Sequence, residues 1–411
     1  MNSEPVPYLQ ASLDQPWRNT LDEIDRRGIY PTMRTGTCDV TTPEPVVDGR
    51  RCLSFGSNDY LSLSQNPQVK MAACQAIERY GAGPGYSRLI GATPQIVQDL
   101  ESELAVWTGF ESAAVYTTGY TANVSAISVL LDRLFASGPS PWAALVYEKV
   151  HGSLLDGCLL AQVRVIPFRH NNLADLERKA KRFAGQARLI VTESVFPLEG
   201  TIIDLEPYVQ LGKEFGLMTY VDDAHGIGIL GTQGGGIGRC GKLGLKPDLY
   251  MSSMDKALGC TGGVLAGSRE LVRLLQASSR SSILSSCLPA VLAGAILKSA
   301  ELAKSMDRER SDLIHKAACL RTRLRDEGFT VYGSPDHPSV SVRIGAEDLA
   351  LKMEQHLWEQ GVFQPAMRWP AVPAGQSRFR INVCVAHTQD HIDRIVEALL
   401  LARQACHICH S

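Results

Sequence analysis

No stretch of the 411-residue chain approaches the roughly 18–20 consecutive apolar residues that span a bilayer. Neither sign of charge is in excess. Lys and Arg number 41 against 43 Asp and Glu, and a net charge of −2 leaves no electrostatic footprint for nucleic acid or an anionic membrane. The first residues, MNSEPVPYLQASLDQPW, lack a basic segment followed by an apolar one, so no secretory signal is expected. The eleven cysteines lack the spacing of a disulfide framework and read as reduced thiols of a cytoplasmic protein. One cysteine pattern, Cys406-His407-Ile408-Cys409-His410, has the spacing of covalent haem attachment. It trails the last helical pattern with no haem pocket in the sequence around it, so adventitious metal binding by a tail is preferred and no resident metal is expected. Internal repeats and low-complexity linkers are also absent, and the domains should therefore pack closely.

What is present is ordinary for a globular protein: 45% hydrophobic and 20% charged residues, in a chain long enough for two or three units. Residues 1–50 read as an N-terminal arm with a short helix around Leu21–Arg27. Residues 51–300 read as a large domain in which short apolar runs alternate with helical patterns. The runs Ala143–Tyr147, Leu189–Thr192, Met218–Val221, Asp248–Ser252 and Gly263–Ala266 are nearly continuous in apolar character, as parallel strands buried on both faces should be. Helical stretches between them, such as Leu205–Phe215, imply βαβ crossovers and an open α/β sheet. A long apolar helix over about Pro289–Met306 leads to a smaller α+β domain, residues 301–411. There Val340, Val342 and Ile344 alternate as a half-exposed strand, Asp348–Gln360 reads as a helix and Phe379–Val385 as a strand. Thr388 caps a final helix whose Ile392, Ile395, Val396, Leu399 and Leu400 form one stripe.

Two strand ends carry the candidate chemistry. Tyr220-Val221-Asp222-Asp223-Ala224-His225 puts a carboxylate where an apolar strand runs out, the edge at which open α/β sheets bind ligands. Asp222 could meet a protonated pyridine nitrogen and keep the ring an electron sink, with His225 donating to a phenolic oxygen. Alone, this would more often be a strand-end acid and a satisfied histidine. Downstream, Ser252-Ser253-Met254-Asp255-Lys256 ends another strand. A lysine there is costly to bury charged, and its neutral amine can form a Schiff base. Ser253 is placed for a phosphate, and the small-residue turn Thr117–Asn123 before a helix offers backbone N–H groups for one. His151 follows a third strand and could stack on a ring.

These motifs, in this order, resemble the α-oxoamine synthase family, whose members have the pyridoxal 5′-phosphate (PLP)-dependent aspartate-aminotransferase fold and include 8-amino-7-oxononanoate synthase. Landmarks run from Ser57-Asn58-Asp59-Tyr60-Leu61 through GAGPGYSRLIGAT (81–93), His151, Thr192-Glu193, Asp222/His225, Lys256 and Ser285-Ser286-Cys287-Leu288-Pro289 to Arg378-Phe379-Arg380. The resemblance implies a PLP-dependent condensation of an amino acid with an acyl thioester. It assigns catalysis to Lys256, His151, Asp222 and His225. The cofactor would be held by these four with Gly119, Tyr120, Ser253, Glu193 and Ser286, the last reaching across from a second subunit. Arg380 should grip the amino acid's carboxylate, with Asn58, Arg27 and Ser87 also at the substrate site. A homodimer with shared sites is implied.

The chain departs from the family pattern at four places. Pro197 replaces a usual serine in Val195-Phe196-Pro197-Leu198-Glu199-Gly200, Gly152 a common alanine, Asp255 a small residue and Ser62 a common glycine. Arg368–Gly375 resembles the corresponding stretch of 8-amino-7-oxononanoate synthases. The rival readings are another PLP reaction on the same fold, an aminotransferase or lyase, and a non-catalytic partner subunit. Retention of Lys256 argues against the scaffold.

Overall fold

The computed structural model describes residues 7–26, 33–38, 40–132, 142–240 and 244–406. A seven-stranded sheet contains β1 (Ser112–Tyr116), β2 (Ala143–Tyr147), β3 (Arg164–Phe168), β4 (Ala187–Glu193), β5 (Met218–Asp222), β6 (Leu249–Ser253) and β7 (Gly263–Gly267). The spatial order is β1-β7-β6-β5-β4-β2-β3. Neighbours run parallel except β7, which is antiparallel to both β6 and β1. The reason is the length of the β6–β7 link. Residues 254–262 are too few for a crossover, which takes roughly a dozen or more residues, so the chain must turn straight back. Lys256 lies in that return.

Strands β2, β6 and β7 are buried along their whole length, as their apolar runs require. Alternation splits their side chains between two cores: Val115, Leu145, Val221 and Tyr250 on one face, Ala114, Val146, Tyr220 and Met251 on the other. The sequence pattern named five of the seven strands. It missed β3, whose Pro167 is tolerated because the strand lies at the sheet edge, and the short, alanine-rich β1.

A second, antiparallel sheet joins β8 (Val331–Tyr332), β9 (Ser339–Gly345), β10 (Ala366–Met367) and β11 (Ser377–Asn382) in the order β8-β9-β11-β10. Here the half-exposed reading of β9 is corrected. Ser339 through Val342 are all buried, and exposure begins at Arg343. Ser339 is covered by a polar network from the large sheet's side, and small polar groups tolerate burial when they are hydrogen-bonded. The final helix, Gln389–Ala405, is closed by a capping box between Thr388 and His391, and Ile392, Ile395, Val396 and Leu399 are buried. The N-terminal helix spans Pro7–Arg26, longer than expected, and Arg27 lies outside the described residues. Of the C-x-x-C-H tail only Cys406 is described. The ten described cysteines are all free thiols. Among the described residues no helix is long and apolar enough to cross a membrane.

Candidate active site

The carboxyl ends of β4, β5 and β6 open onto a cleft of ≈ 710 Å³, whose opposite wall is formed by Met367, Ala371 and Arg380 beside the second sheet. That volume suits a small molecule with its substrate. Asp222 ends β5, in register with Glu193 of β4 and Met251 of β6. Its carboxylate is nearly buried and held on both oxygens: Asn123 Nδ2 donates to Oδ2 at 2.8 Å and the Ala224 N–H to Oδ1 at 2.9 Å. Asn123 is itself fixed, accepting from the Tyr220 hydroxyl at 2.6 Å and donating to Ser153 Oγ at 2.9 Å. An acceptor-only carboxylate pinned in this way still has lone pairs for a protonated nitrogen in the cleft.

Asp223, the next residue, is sealed away. It accepts from the Ile237 N–H and the Tyr250 hydroxyl, both at 2.9 Å, and burial pushes its carboxyl up to about 7. Glu193 accepts the His151 N–H at 2.5 Å, and burial beside Asp222 holds its carboxyl well above the usual range. His151 caps α2 (Gly152–Leu160), with Nδ1 2.7 Å from Ser153 Oγ, which orients the ring at the cleft. An added Cβ at Gly152 would meet nothing within 4 Å, so an alanine would fit there equally well.

Lys256 is partly shielded, with Nζ 3.6 Å from the Asp255 carboxylate, and Ser253 donates to the same carboxylate. Helix α1 (Gly119–Leu130) starts at the cleft, capped by Thr118, whose Oγ1 accepts the Thr121 N–H at 3.1 Å. A Cβ at Gly119 would meet Ser253 Cβ and Oγ at 3.0 Å, so the helix start lies tightly against β6 and a larger residue there would push the Ser253 side chain aside. Free N–H groups at a helix start beside a hydroxyl form an anion cradle. The Tyr120 hydroxyl donates to Asp156 at 2.6 Å and does not itself enter the cradle. His225 is buried, with Nδ1 2.8 Å from the Tyr60 hydroxyl. Desolvation and the charges of Lys256 and Arg380 hold it well below its ordinary value. The Arg380 guanidinium lines the cleft from β11 and makes no hydrogen bond or ion pair among the described residues.

Nine expected site residues therefore share one cleft: Lys256, Asp222, His225, His151, Gly119, Tyr120, Ser253, Glu193 and Arg380. Three do not line it. Asn58 accepts from Asn382 Nδ2 at 3.0 Å, Ser87 Oγ is buried without a hydrogen-bond partner, and Ser286 lines a separate crevice with Arg88 and Tyr116. Sequence reasoning missed Asn123, although it lay within the quoted Thr117–Asn123 turn. It also missed Lys149, which pairs with Glu199 at 3.1 Å on the cleft wall. Phe196, Pro197 and Leu198 form an apolar patch there, where the family pattern has a hydroxyl.

These groups fit PLP: a cradle for a phosphate, a pinned carboxylate to accept from a pyridine N–H, a histidine ring at the cleft and a shielded primary amine. Residues 50–399 match the family model described as aminotransferase class I and II. The chain is 35% identical over 384 residues to 8-amino-7-oxononanoate synthase of Geobacter sulfurreducens, covering 92% of this chain and 95% of that one. Serine palmitoyltransferase of Sphingomonas wittichii superposes with a TM-score of 0.88 at 26% identity, covering 96% and 98% of the two chains. A solved form of SPT with PLP does so with TM-score 0.88 at 26% identity, covering 98% and 100%.

Proposed function

The chain belongs to the aminotransferase class I and II family, and we propose that it condenses an amino acid with an acyl thioester, using PLP, to give an α-amino ketone, the free thiol and CO2. The observation that carries this reading is the meeting of Lys256, the pinned Asp222 carboxylate and the Gly119–Ser253 cradle in one cleft, in a chain similar to two enzymes of that chemistry.

In this reading Lys256 holds the cofactor's aldehyde carbon, Asp222 its pyridine nitrogen, and Gly119, Tyr120 and Ser253 its phosphate, with His151 against the ring. When bound, PLP supplies an electron sink for negative charge at the amino acid's α-carbon. The rest is the work of side chains. Asp222, unable to turn because Asn123 and Ala224 hold both oxygens, keeps a proton on the nitrogen it faces. Arg380, its guanidinium free among the described residues, binds the substrate carboxylate in two-pronged fashion. Lys256 Nζ takes the α-proton and later returns one. Glu193, by fixing the His151 backbone, holds that ring in place. Phe196, Pro197 and Leu198 give the cleft an apolar stretch of wall.

The same reading makes the cleft the boundary between a large cofactor-holding domain (51–300) and a smaller C-terminal one (301–411), and it pairs two copies. Exposed Leu89, Ile90 and Leu284 cluster in sequence with Ser87 and Ser286, the two serines that one chain leaves outside its cleft. A second copy would cover the former and put the latter to use. Free cysteines among the described residues favour a reducing, cytoplasmic setting.

The test is stoichiometry. With PLP, a panel of amino acids and acyl-CoA, free thiol and CO2 should be released in equal amounts for one amino acid. Amino-group transfer to a keto acid with no thiol release from any thioester would instead establish an aminotransferase.

A further inference from the structure

Behind His225 runs a chain of buried hydrogen bonds that joins the two sheets. From His225 Nδ1 it passes to the Tyr60 hydroxyl (2.8 Å), Ser339 Oγ (3.1 Å), Asn382 Oδ1 (2.9 Å) and, from Asn382 Nδ2, to Asn58 Oδ1 (3.0 Å). Tyr60, Ser339 and Asn382 are fully buried, so water does not substitute for the links between them, and Asn58 is the half-buried end. Each hydroxyl has one hydrogen, which makes the order countable. Asn382 donates to Asn58 through its amide nitrogen, so its oxygen takes the hydrogen of Ser339. Ser339 must then accept from Tyr60, and Tyr60 from His225. In this order the hydrogen of a neutral His225 ring is on Nδ1, and the Nε2 lone pair is left to the cleft. Turning over the two amides reverses every link: Asn58 donates to Asn382, Asn382 to Ser339, Ser339 to Tyr60 and Tyr60 to Nδ1. The ring hydrogen is then on Nε2. No net proton enters or leaves between the two orders.

We propose that Tyr60, Ser339 and Asn382 are positioning residues that select which nitrogen of His225 carries its hydrogen, and that cofactor binding switches the relay from the Nδ1–H order to the Nε2–H order. This rests on the PLP reading above, because a phenolic oxygen bearing negative charge in the cleft calls for a donor and only the reversed relay offers one from a neutral ring. Neutrality is supported by burial and by the cations that face the ring, Lys256 and Arg380, with His337 and His151 close by. His337 next to it has no such freedom. Its Nδ1 accepts the Ser339 N–H at 3.1 Å and its Nε2 donates to the His225 carbonyl at 3.0 Å, so backbone groups fix its tautomer from both sides. The relay also explains why Asn58 is not in the cleft: its amide is the far end of the switch.

The experiment is long-range proton–nitrogen correlation on full-length protein with ¹⁵N-labelled histidine, before and after PLP, alongside a visible-band titration for PLP affinity. Wild type without PLP should show His225 as Nδ1–H, and with PLP as Nε2–H. Ser339→Ala, which deprives Tyr60 of its acceptor and frees its hydrogen for Nδ1, should show Nε2–H even without PLP. Asn382→Asp can only accept from Ser339. It should stay Nδ1–H throughout and bind PLP about tenfold more weakly, the loss expected for one hydrogen bond to the cofactor. If Ser339→Ala does not fold, Tyr60→Phe should give a mixture of tautomers. One unchanging tautomer in wild type and whichever of these two variants folds overturns the relay while leaving PLP binding untouched. A wild-type protein that develops no visible band overturns the cofactor reading instead.

Discussion

The two walls of the cleft are made differently. On the large-sheet wall, Asp222, Ser253 and Lys256 follow directly from apolar strands, so the strand that positions each one precedes it in the chain. On the small-sheet side, Arg380 and Asn382 come from β11 and Ser339 from β9, and the partners are distant: Asn382 binds Asn58, Ser339 binds Tyr60, and the Asn382 N–H reaches the Phe55 carbonyl. In the proposed function the first wall carries the chemistry. The second is joined to it through hydroxyls and amides, and on the same proposal it would recognise substrate and set the state of His225. Conflating the two would predict equal effects on both sides, and they should differ.

The largest effect should come from the large-sheet wall. Lys256→Ala should lose at least roughly a thousandfold in rate, the scale of a removed acid–base group, together with the visible cofactor band. Measured without PLP, its melting temperature should barely move, because the 3.6 Å pair with half-exposed Asp255 contributes little. Wild-type-like turnover would break the comparison outright. Asp222→Asn should come next, at about a hundred- to thousandfold in kcat, since it removes a fixed charge without changing shape. Across the cleft, Arg380→Lys should mainly raise KM for the amino acid, by roughly ten- to a hundredfold, through loss of a two-pronged contact. A fall confined to kcat would move Arg380 into the chemistry and blur the two walls.

The smallest effect sharpens the contrast between Asp222 and its neighbour. Asp223 has its pKa raised from 3.8 to about 7, so the folded protein binds its proton more readily than the unfolded chain, and its stabilisation is lost as pH rises through that window. Buried His337 and His387 are lowered by desolvation to about 4 and about 3, so they stay neutral, and their contribution is lost as pH falls below 6.5. The two effects oppose one another between pH 4 and 6.5. Removing Asp223 leaves the histidines uncompensated. Asp223→Asn should thus lose stability faster on acidification than wild type, by up to ~1.4 kcal/mol per pH unit, while its turnover changes little. Denaturant melts at several pH values give the slope, and parallel slopes would show that Asp223 is already ionised.

How far the sequence could be read follows the same division. Strand β6 and Lys256 were legible because an apolar run and the motif after it are contiguous, and five strands emerged the same way. Strand β3 was hidden by Pro167, whose acceptability depends on an edge position that only the assembled sheet reveals. The burial of Ser339 was hidden because its cover, Tyr60, is remote in the chain. Asn123 was visible as a residue but not as the clamp on Asp222, again a long-range contact. The α/β class came through, and nine of the expected residues line one cleft. Asn58 and Ser87 lie outside the cleft because their surroundings are set by contacts remote in sequence, such as Asn382 on Asn58, and Ser286, expected from a second subunit, lines a separate crevice.

The most direct measurement is the visible spectrum of the purified protein with PLP as amino acids and then an acyl thioester are added. The account predicts a band that shifts with one amino acid and changes again, with free thiol released, only when thioester follows. A band that responds to amino acids but never to any thioester would contradict the condensation.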